Sequence, residues 1–343
     1  MRPSGFFIGV VCAALCITAA GRSAQAQFSI PELPAPARLG ADAAAREIAP
    51  YIQQNLPVQL NWNDVYATVP TLPGEPFHPR LLATDEVASQ LSRVPDGVAN
   101  LVPGDYRLRV RVYCTRHSGH ARTPEEYLLA PLRGARRDAL VALYSRVAEA
   151  RAPYGPVQSL SWSIQAGMRY GELPPDQQQL VDRLIPDYRN SLQGSFVDQM
   201  RDHWDRLGVL GLPSFDSELQ SLGPIGAEVT NLQAARATIL ADAGDFNALS
   251  AQLAPRAPAA GAQLPAPWSI VSPNVYMRMN STTAYGSVGE IDVRVIGDAT
   301  NAPVAVPLLS QIAYPPNCTD CQPLTYNPEP VAPQDGGGSE IPS

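Results

Sequence analysis

The 343 residues of the chain exceed what one hydrophobic core usually fills, so we expect more than one folded unit. The formal net charge is −7 and the basic residues form no block, which disfavours nucleic acid and anionic membrane surfaces as partners. The chain contains no lysine, which excludes Schiff-base catalysis and internal isopeptide bonds made from a lysine amine.

The first 26 residues have the pattern of a secretory signal peptide. Met1-Arg2 is followed by an apolar run, Phe6 to Ala20, and then by a small-x-small cleavage site, Ala24-Gln25-Ala26. The pattern predicts export, with Gln27 as the first mature residue. No later stretch approaches the roughly 20 apolar residues of a transmembrane helix. We therefore expect a soluble periplasmic, cell-surface or extracellular protein with no membrane span.

Two elements are predicted before residue 115. Apolar residues at helical spacing indicate a helix over Ala41–Leu56, which Pro57 ends, and an extended segment follows. Polar and apolar residues then alternate strictly from Tyr106 to Cys114, which is the period of a half-buried strand. Cys114 shares the apolar face with Val112, so its side chain should point to the core at the very end of the strand.

Helices dominate the middle of the chain, and strands follow. Pro156 is typical of a first-turn proline and predicts the start of a helix that carries Gln158 and runs to about Met168. The sequence PRAPAAGAQLPAP at 255–267 has the composition of a linker. Alternating residues after this linker predict short strands separated by turns.

The predicted fold class is α+β, with a helix-rich central domain preceded by a few strands and followed by a small C-terminal all-β module. The expected divisions are a signal peptide at 1–26, an N-terminal helix and extended segment at 27–97, a domain bearing the cysteine and glutamine at 98–254, a linker at 255–267, a β module at 268–330 and a disordered tail at 331–343.

Three cysteines remain after the predicted cleavage site. Cys318 and Cys321 lie close together between prolines, and in an oxidising compartment such a pair most simply forms a local disulfide. Cys114 is then left without a partner. An unpaired cysteine is either an inert residue of the core or a functional sulfur.

Histidines near Cys114 suggest two kinds of chemistry. His117 follows the thiol closely and could lower its pKa, as in a cysteine-dependent enzyme with His117 or His203 as the base. Cys114, His117 and His120 are metal-ligand types, but no clear fourth ligand accompanies them. We therefore expect no metal, and the absence of cofactor-binding motifs predicts no cofactor.

A third hypothesis joins Cys114 to Gln158. Tyr113-Cys114 at the end of a strand, followed by Val157-Gln158-x-x-x-Trp162 at the start of a helix, resembles the motif pair of thioester domains in bacterial surface adhesins. The resemblance covers about residues 108–168, and Val157 replaces the family's usual threonine. It implies that the cysteine thiol attacks the glutamine amide and releases ammonia to form an internal thioester, with Trp162 packed beside the bond. An amine of a partner can then open the thioester and become covalently attached.

The function expected from these residues is adhesion or attachment at the cell envelope or outside the cell, with the Cys114–Gln158 thioester as its chemistry. The partner is expected to be a protein or surface ligand that bears amines. A binding role is favoured over an enzymatic one. Two alternatives stay open: a non-covalent structural or binding envelope protein whose Cys114 is inert, and a cysteine-dependent enzyme that uses Cys114 and His117.

Overall fold

A computed structural model describes most of the chain after residue 40. The described residues are 41–59, 61–74, 76–115, 122–207, 214–253, 264–281, 288–297, 300–315 and 323–329. The predicted signal peptide, most of the predicted linker and the predicted C-terminal tail lie outside them.

The described residues contain nine α-helices. They are α1 Ala41–Asn55, α2 Thr84–Arg93, α3 Arg137–Val147, α4 Tyr154–Gln165, α5 Pro175–Leu184, α6 Phe196–Arg206, α7 Phe215–Glu218, α8 Gly223–Ala241 and α9 Phe246–Leu253. The helices predicted near Ala41 and Pro156 are confirmed as α1 and α4. Between α8 and α9 the chain turns at Gly244, whose φ of 76° suits a residue without a Cβ atom. Among all the residues that the structure describes, no helix is long and apolar enough to cross a bilayer.

Eleven β-strands accompany these helices in the described residues. They are β1 Thr68–Val69, β2 Arg80–Leu81, β3 Ala99–Leu101, β4 Gly104–Cys114, β5 Leu128–Pro131, β6 Trp268–Ser272, β7 Val275–Ser281, β8 Val288–Val295, β9 Val304–Val306, β10 Gln311–Tyr314 and β11 Leu324–Pro328. The strand predicted over Tyr106–Cys114 is confirmed as part of β4, in which buried and more exposed residues alternate up to Val112.

Nine of these strands form one sheet, in the order β1-β6-β7-β8-β4-β11-β10-β5, with β2 added in parallel beside the start of β4. β8 pairs with β4 over Gly104–Arg111, and β11 pairs with β4 over Val110–Cys114. The predicted α+β class is therefore confirmed. Strands from both sides of the predicted linker at 255–267 are neighbours in this sheet, so the C-terminal strands share a sheet and a hydrophobic core with β4 instead of forming a separate module.

The arginine-bearing face of β4 is tied to its neighbours by ion pairs. Asp292 of β8 has a fully buried side chain and accepts hydrogen bonds from Arg107 and Arg278 at 2.7 to 3.1 Å. Arg294 donates to both carboxylate oxygens of Asp105 at 2.6 and 2.7 Å. Each pair joins residues that face each other across adjacent strands, so these contacts stabilise the observed register.

A second hydrophobic cluster is built by α1, α6, α7 and α8 around residues such as Ile48 and Trp204. The rings of Tyr51 on α1 and His203 on α6 stack beside it, with centroids 3.8 Å apart and planes 7° apart. Burial, with a smaller contribution from the positive charge of Arg206, lowers the pKa of His203. The folded protein therefore favours the neutral imidazole.

We expect the fold to lose stability as the pH falls through the ordinary histidine pKa of 6.5. A histidine whose pKa is depressed in the folded state takes up a proton more readily when unfolded, so the stability present above that pKa declines below it. The variant His203→Phe keeps a stacking ring and removes the titration. Between about pH 7.5 and about pH 5.5, the midpoint of thermal unfolding should fall further for the wild type than for this variant. An equal fall of the midpoint in the two proteins would contradict the assignment of this pH dependence to His203.

Candidate functional site at Cys114 and Gln158

Cys114 is the last residue of β4 and is fully buried. On one side it pairs with Leu324 of β11. On the other side, the last pair described between β4 and β8 joins Arg111 to Val288, before Cys114 is reached. The N–H and C=O of Cys114 that face this side are buried, and buried backbone groups are costly to leave unpaired.

Gln158 of α4 supplies both partners. Its Oε1 accepts a hydrogen bond from the N–H of Cys114 at 2.9 Å, and its Nε2 donates to the C=O of Cys114 at 3.1 Å. The side chain is held firmly because all residues from Val157 to Gln165 are buried. The structure thus brings together two residues that lie 44 positions apart in the sequence.

The carbonyl oxygen of Gln158 has a second donor in Tyr154. Tyr154 lies one helical turn before Gln158, and its hydroxyl donates to Oε1 at 3.0 Å. Two donors on one carbonyl oxygen draw electron density from the amide carbon and make this carbon a better electrophile. The amide nitrogen Nε2 donates instead to the C=O of Cys114, so the oxygen of the carboxamide faces two donors and its nitrogen faces an acceptor.

A series of buried polar groups continues along the same face of α4. Gln165 donates through Nε2 to the C=O of Cys114 at 3.3 Å and to Oγ of Ser161 at 2.8 Å. The Oγ of Ser161 lies 2.5 Å from the hydroxyl of Tyr144 on α3. Gln158, Ser161 and Gln165 share one face because they are three and four residues apart. The carbonyl of Cys114 therefore has two amide donors, one from Gln158 and one from Gln165.

Aromatic rings pack beside this polar group and help to shield it from water. Tyr113 stacks on Tyr154 and on Tyr144, with ring centroids 5.1 Å apart in both pairs. Phe246 of α9 packs edge-on against Tyr154 at 5.8 Å and nearly parallel to Trp162 at 6.3 Å. Trp162, which the family resemblance implies as a packing residue, is fully buried.

Burial raises the pKa of the Cys114 thiol well above its ordinary value of 9.0. A thiol with a raised pKa stays protonated at neutral pH, whereas the thiolate is the reactive nucleophile. The environment of Cys114 therefore weighs against a catalytic thiolate exposed to substrate. It agrees with an inert core thiol, and it does not bear on a sulfur already held in a thioester, which has no proton to lose.

The other residues singled out in the sequence lie elsewhere. His117, Cys318 and Cys321 fall outside the described residues, so the roles predicted for them stay predictions. His203 packs against Tyr51 beside the second hydrophobic cluster. Tyr154 was missed in the sequence, although an aromatic hydroxyl four residues before a helical glutamine could have indicated it.

Neither a metal site nor a relative adds to this picture. No group of three or more histidine, cysteine, aspartate or glutamate residues in the described ranges could hold a metal ion. Comparisons of the chain with protein-family models, curated proteins and solved structures find no match. The functional argument therefore depends on the residues of the site.

Proposed function

We propose that this chain is an exported attachment protein of the cell envelope or extracellular space, with an internal thioester between Cys114 and Gln158. The observation that carries the proposal is the Gln158 carboxamide, which lies against the main chain of Cys114 through two hydrogen bonds. The glutamine is thus held beside the residue whose thiol would attack it. The resemblance to thioester domains supports the same pairing, and the signal-peptide pattern supports export.

Thioester formation needs only the groups at this site. A bond forms between Sγ of Cys114 and Cδ of Gln158, and the bond from Cδ to Nε2 breaks. The thiol proton passes to the nitrogen, which leaves as ammonia, so no atom changes its oxidation state. The polarised carbonyl favours the attack, and the burial of the site slows hydrolysis of the product by water.

The partner class follows from the chemistry of a thioester. A primary amine of a protein or surface ligand attacks Cδ, forms a stable amide and releases the Cys114 thiol. The chain has no lysine, so no side-chain amine of its own competes for the thioester. The proposed product is a covalent link from Gln158 to the partner.

A second candidate is a non-covalent envelope protein in which Cys114 is inert. One observation favours it: the hydrogen bonds of Gln158 already pair both backbone groups of Cys114, which is a sufficient structural reason for a buried glutamine. A cysteine-dependent enzyme using Cys114 and His117 has less support, because burial raises the pKa of the thiol.

Labelling of the native protein separates the three functions. The protein is treated with a fluorescent primary amine, with an alkylating reagent, or with the amine followed by the alkylating reagent, and labelled peptides are identified by mass spectrometry. A thioester predicts amine on Gln158 and alkylation of Cys114 only after the amine. An inert thiol predicts no label before unfolding, and a catalytic thiolate predicts rapid alkylation without amine. Cys114→Ala is the control, and it should take up no amine at Gln158.

A further inference from the structure

The carbonyl oxygen of Gln158 accepts one more hydrogen bond than is needed to pair the main chain of Cys114. To pair the main chain of Cys114, the carboxamide must accept one hydrogen bond through its oxygen and donate one through its nitrogen. The N–H of Cys114 already supplies the hydrogen bond to the oxygen, at 2.9 Å. The hydroxyl of Tyr154 adds a second donor at 3.0 Å. Two donors on one carbonyl oxygen form the arrangement that stabilises negative charge on this atom during acyl transfer.

The ring of Tyr154 is held in place from several directions. Tyr113 stacks on it with planes 21° apart, and Phe246 packs against it at 88°. The guanidinium of Arg111 lies 5.8 Å from the ring centroid and is paired with Glu329 at 2.6 Å. A donor fixed in this way needs little rearrangement when charge develops on its acceptor, and preorganisation of this kind is what makes such donors effective.

We infer that Tyr154 is a catalytic residue, whose hydroxyl forms an oxyanion hole with the N–H of Cys114. This inference rests on the proposed thioester. When Sγ of Cys114 attacks Cδ of Gln158, the electron pair of the carbonyl moves to Oε1, where both donors bind it. The tetrahedral species then collapses, the bond from Cδ to Nε2 breaks, and ammonia leaves with the thiol proton.

The same oxygen remains in the product as the thioester carbonyl, so the same two donors act when the thioester is opened. The amine nitrogen bonds to Cδ, negative charge again builds on Oε1, the bond from Cδ to Sγ breaks, and a proton of the amine passes to sulfur. Gln165 is a positioning residue in this sequence. Its Nε2 already donates to the C=O of Cys114 at 3.3 Å, so this carbonyl keeps a donor after Nε2 of Gln158 has left.

The test compares Tyr154→Phe with Tyr113→Phe in the full chain. Tyr113 belongs to the same group of stacked rings, and its buried hydroxyl has no hydrogen-bond partner among the described residues, so it is a matched control for loss of a buried hydroxyl. Intact mass is followed over time in methylamine. We expect opening of the thioester to be about 100-fold slower in Tyr154→Phe, because removal of one oxyanion donor costs about 10² to 10³ in rate. Tyr113→Phe should react at the wild-type rate.

Each other outcome overturns the inference in a distinguishable way. If Tyr154→Phe forms and opens the thioester at the wild-type rate, Tyr154 has no catalytic role, and the proposal of a thioester still stands. An equal loss in Tyr113→Phe assigns the effect to ring packing. A wild-type protein that never loses ammonia overturns the oxyanion hole together with the proposed function.

If Tyr154→Phe does not fold, 3-fluorotyrosine placed at position 154 alone provides the second measurement. Its ring is almost the same size and its hydroxyl is a stronger donor. We expect faster opening by methylamine at a pH where the hydroxyl stays protonated, and an unchanged or lower rate overturns the inference.

Discussion

Gln158→Leu is expected to lower the free energy of unfolding by about 1–3 kcal/mol more than Cys114→Ala does. Both variants abolish the thioester, so the difference between them reflects the hydrogen bonds of Gln158, set against the loss of sulfur packing in Cys114→Ala. Leucine fills a similar volume but leaves the N–H of Cys114 without its acceptor at 2.9 Å. The C=O of Cys114 keeps only the longer contact to Gln165 at 3.3 Å. A buried polar group deprived of its partner costs about 1–3 kcal/mol.

Urea denaturation of the two variants measures this difference directly. Cys114→Ala keeps the backbone groups that Gln158 binds, so it should lose only the packing of the sulfur and any thioester cross-link. Equal unfolding free energies for the two variants would contradict the assigned role of Gln158 as the partner of the Cys114 main chain.

Asp292→Ala is expected to destabilise the fold by about 3 kcal/mol, because removal of the buried carboxylate leaves Arg278 without this partner and Arg107 with only Glu290 at 3.7 Å. The Asp292 side chain is fully buried and receives four hydrogen bonds from Arg107 and Arg278, which approach it from the strands on either side. Its loss removes one of the polar contacts that tie β8 to β4 and β7, alongside those of Asp105 with Arg294 and of Asn280 with Glu290.

The matched control is Asp138→Ala. Asp138 also pairs with an arginine, Arg137, but 69% of its side-chain surface is exposed. Exposed pairs contribute about 0–1 kcal/mol, so this variant should unfold near the wild-type midpoint. Comparable losses in the two aspartate variants would show that burial does not set the energy of the Asp292 pairs.

The sequence predicted the local elements of the site because their signals are local. Strict alternation indicated β4 up to Cys114, and helical spacing after Pro156 indicated α4 and the position of Gln158. The pairing of these two residues came from the family resemblance, since no periodicity in the chain relates positions 44 residues apart.

The arrangement of the sheet could not be predicted from the sequence. Arg107 and Asp292 face each other on β4 and β8 although they are 185 residues apart, and such a register depends on tertiary contacts. The Pro- and Ala-rich composition at 255–267 indicated a linker and therefore two modules. Composition describes a connection, however, and does not reveal whether the strands on its two sides pair with each other. The second donor on the Gln158 oxygen was missed because an aromatic residue at the start of a helix usually indicates packing.

The most direct test of the central claim is the intact mass of the mature protein, purified without amines or reducing agents, before and after methylamine treatment. The thioester predicts an initial mass that is short by one ammonia, and after treatment a mass higher by one methylamine, with the adduct on Gln158. The variants Cys114→Ala and Gln158→Leu should show neither the ammonia loss that depends on residues 114 and 158 nor a gain of methylamine, whatever other mass changes, such as the two hydrogens of the predicted Cys318–Cys321 disulfide, they share with the wild type. A wild-type mass without the loss of ammonia, unchanged by methylamine, would contradict the thioester and leave Gln158 as a structural partner of β4.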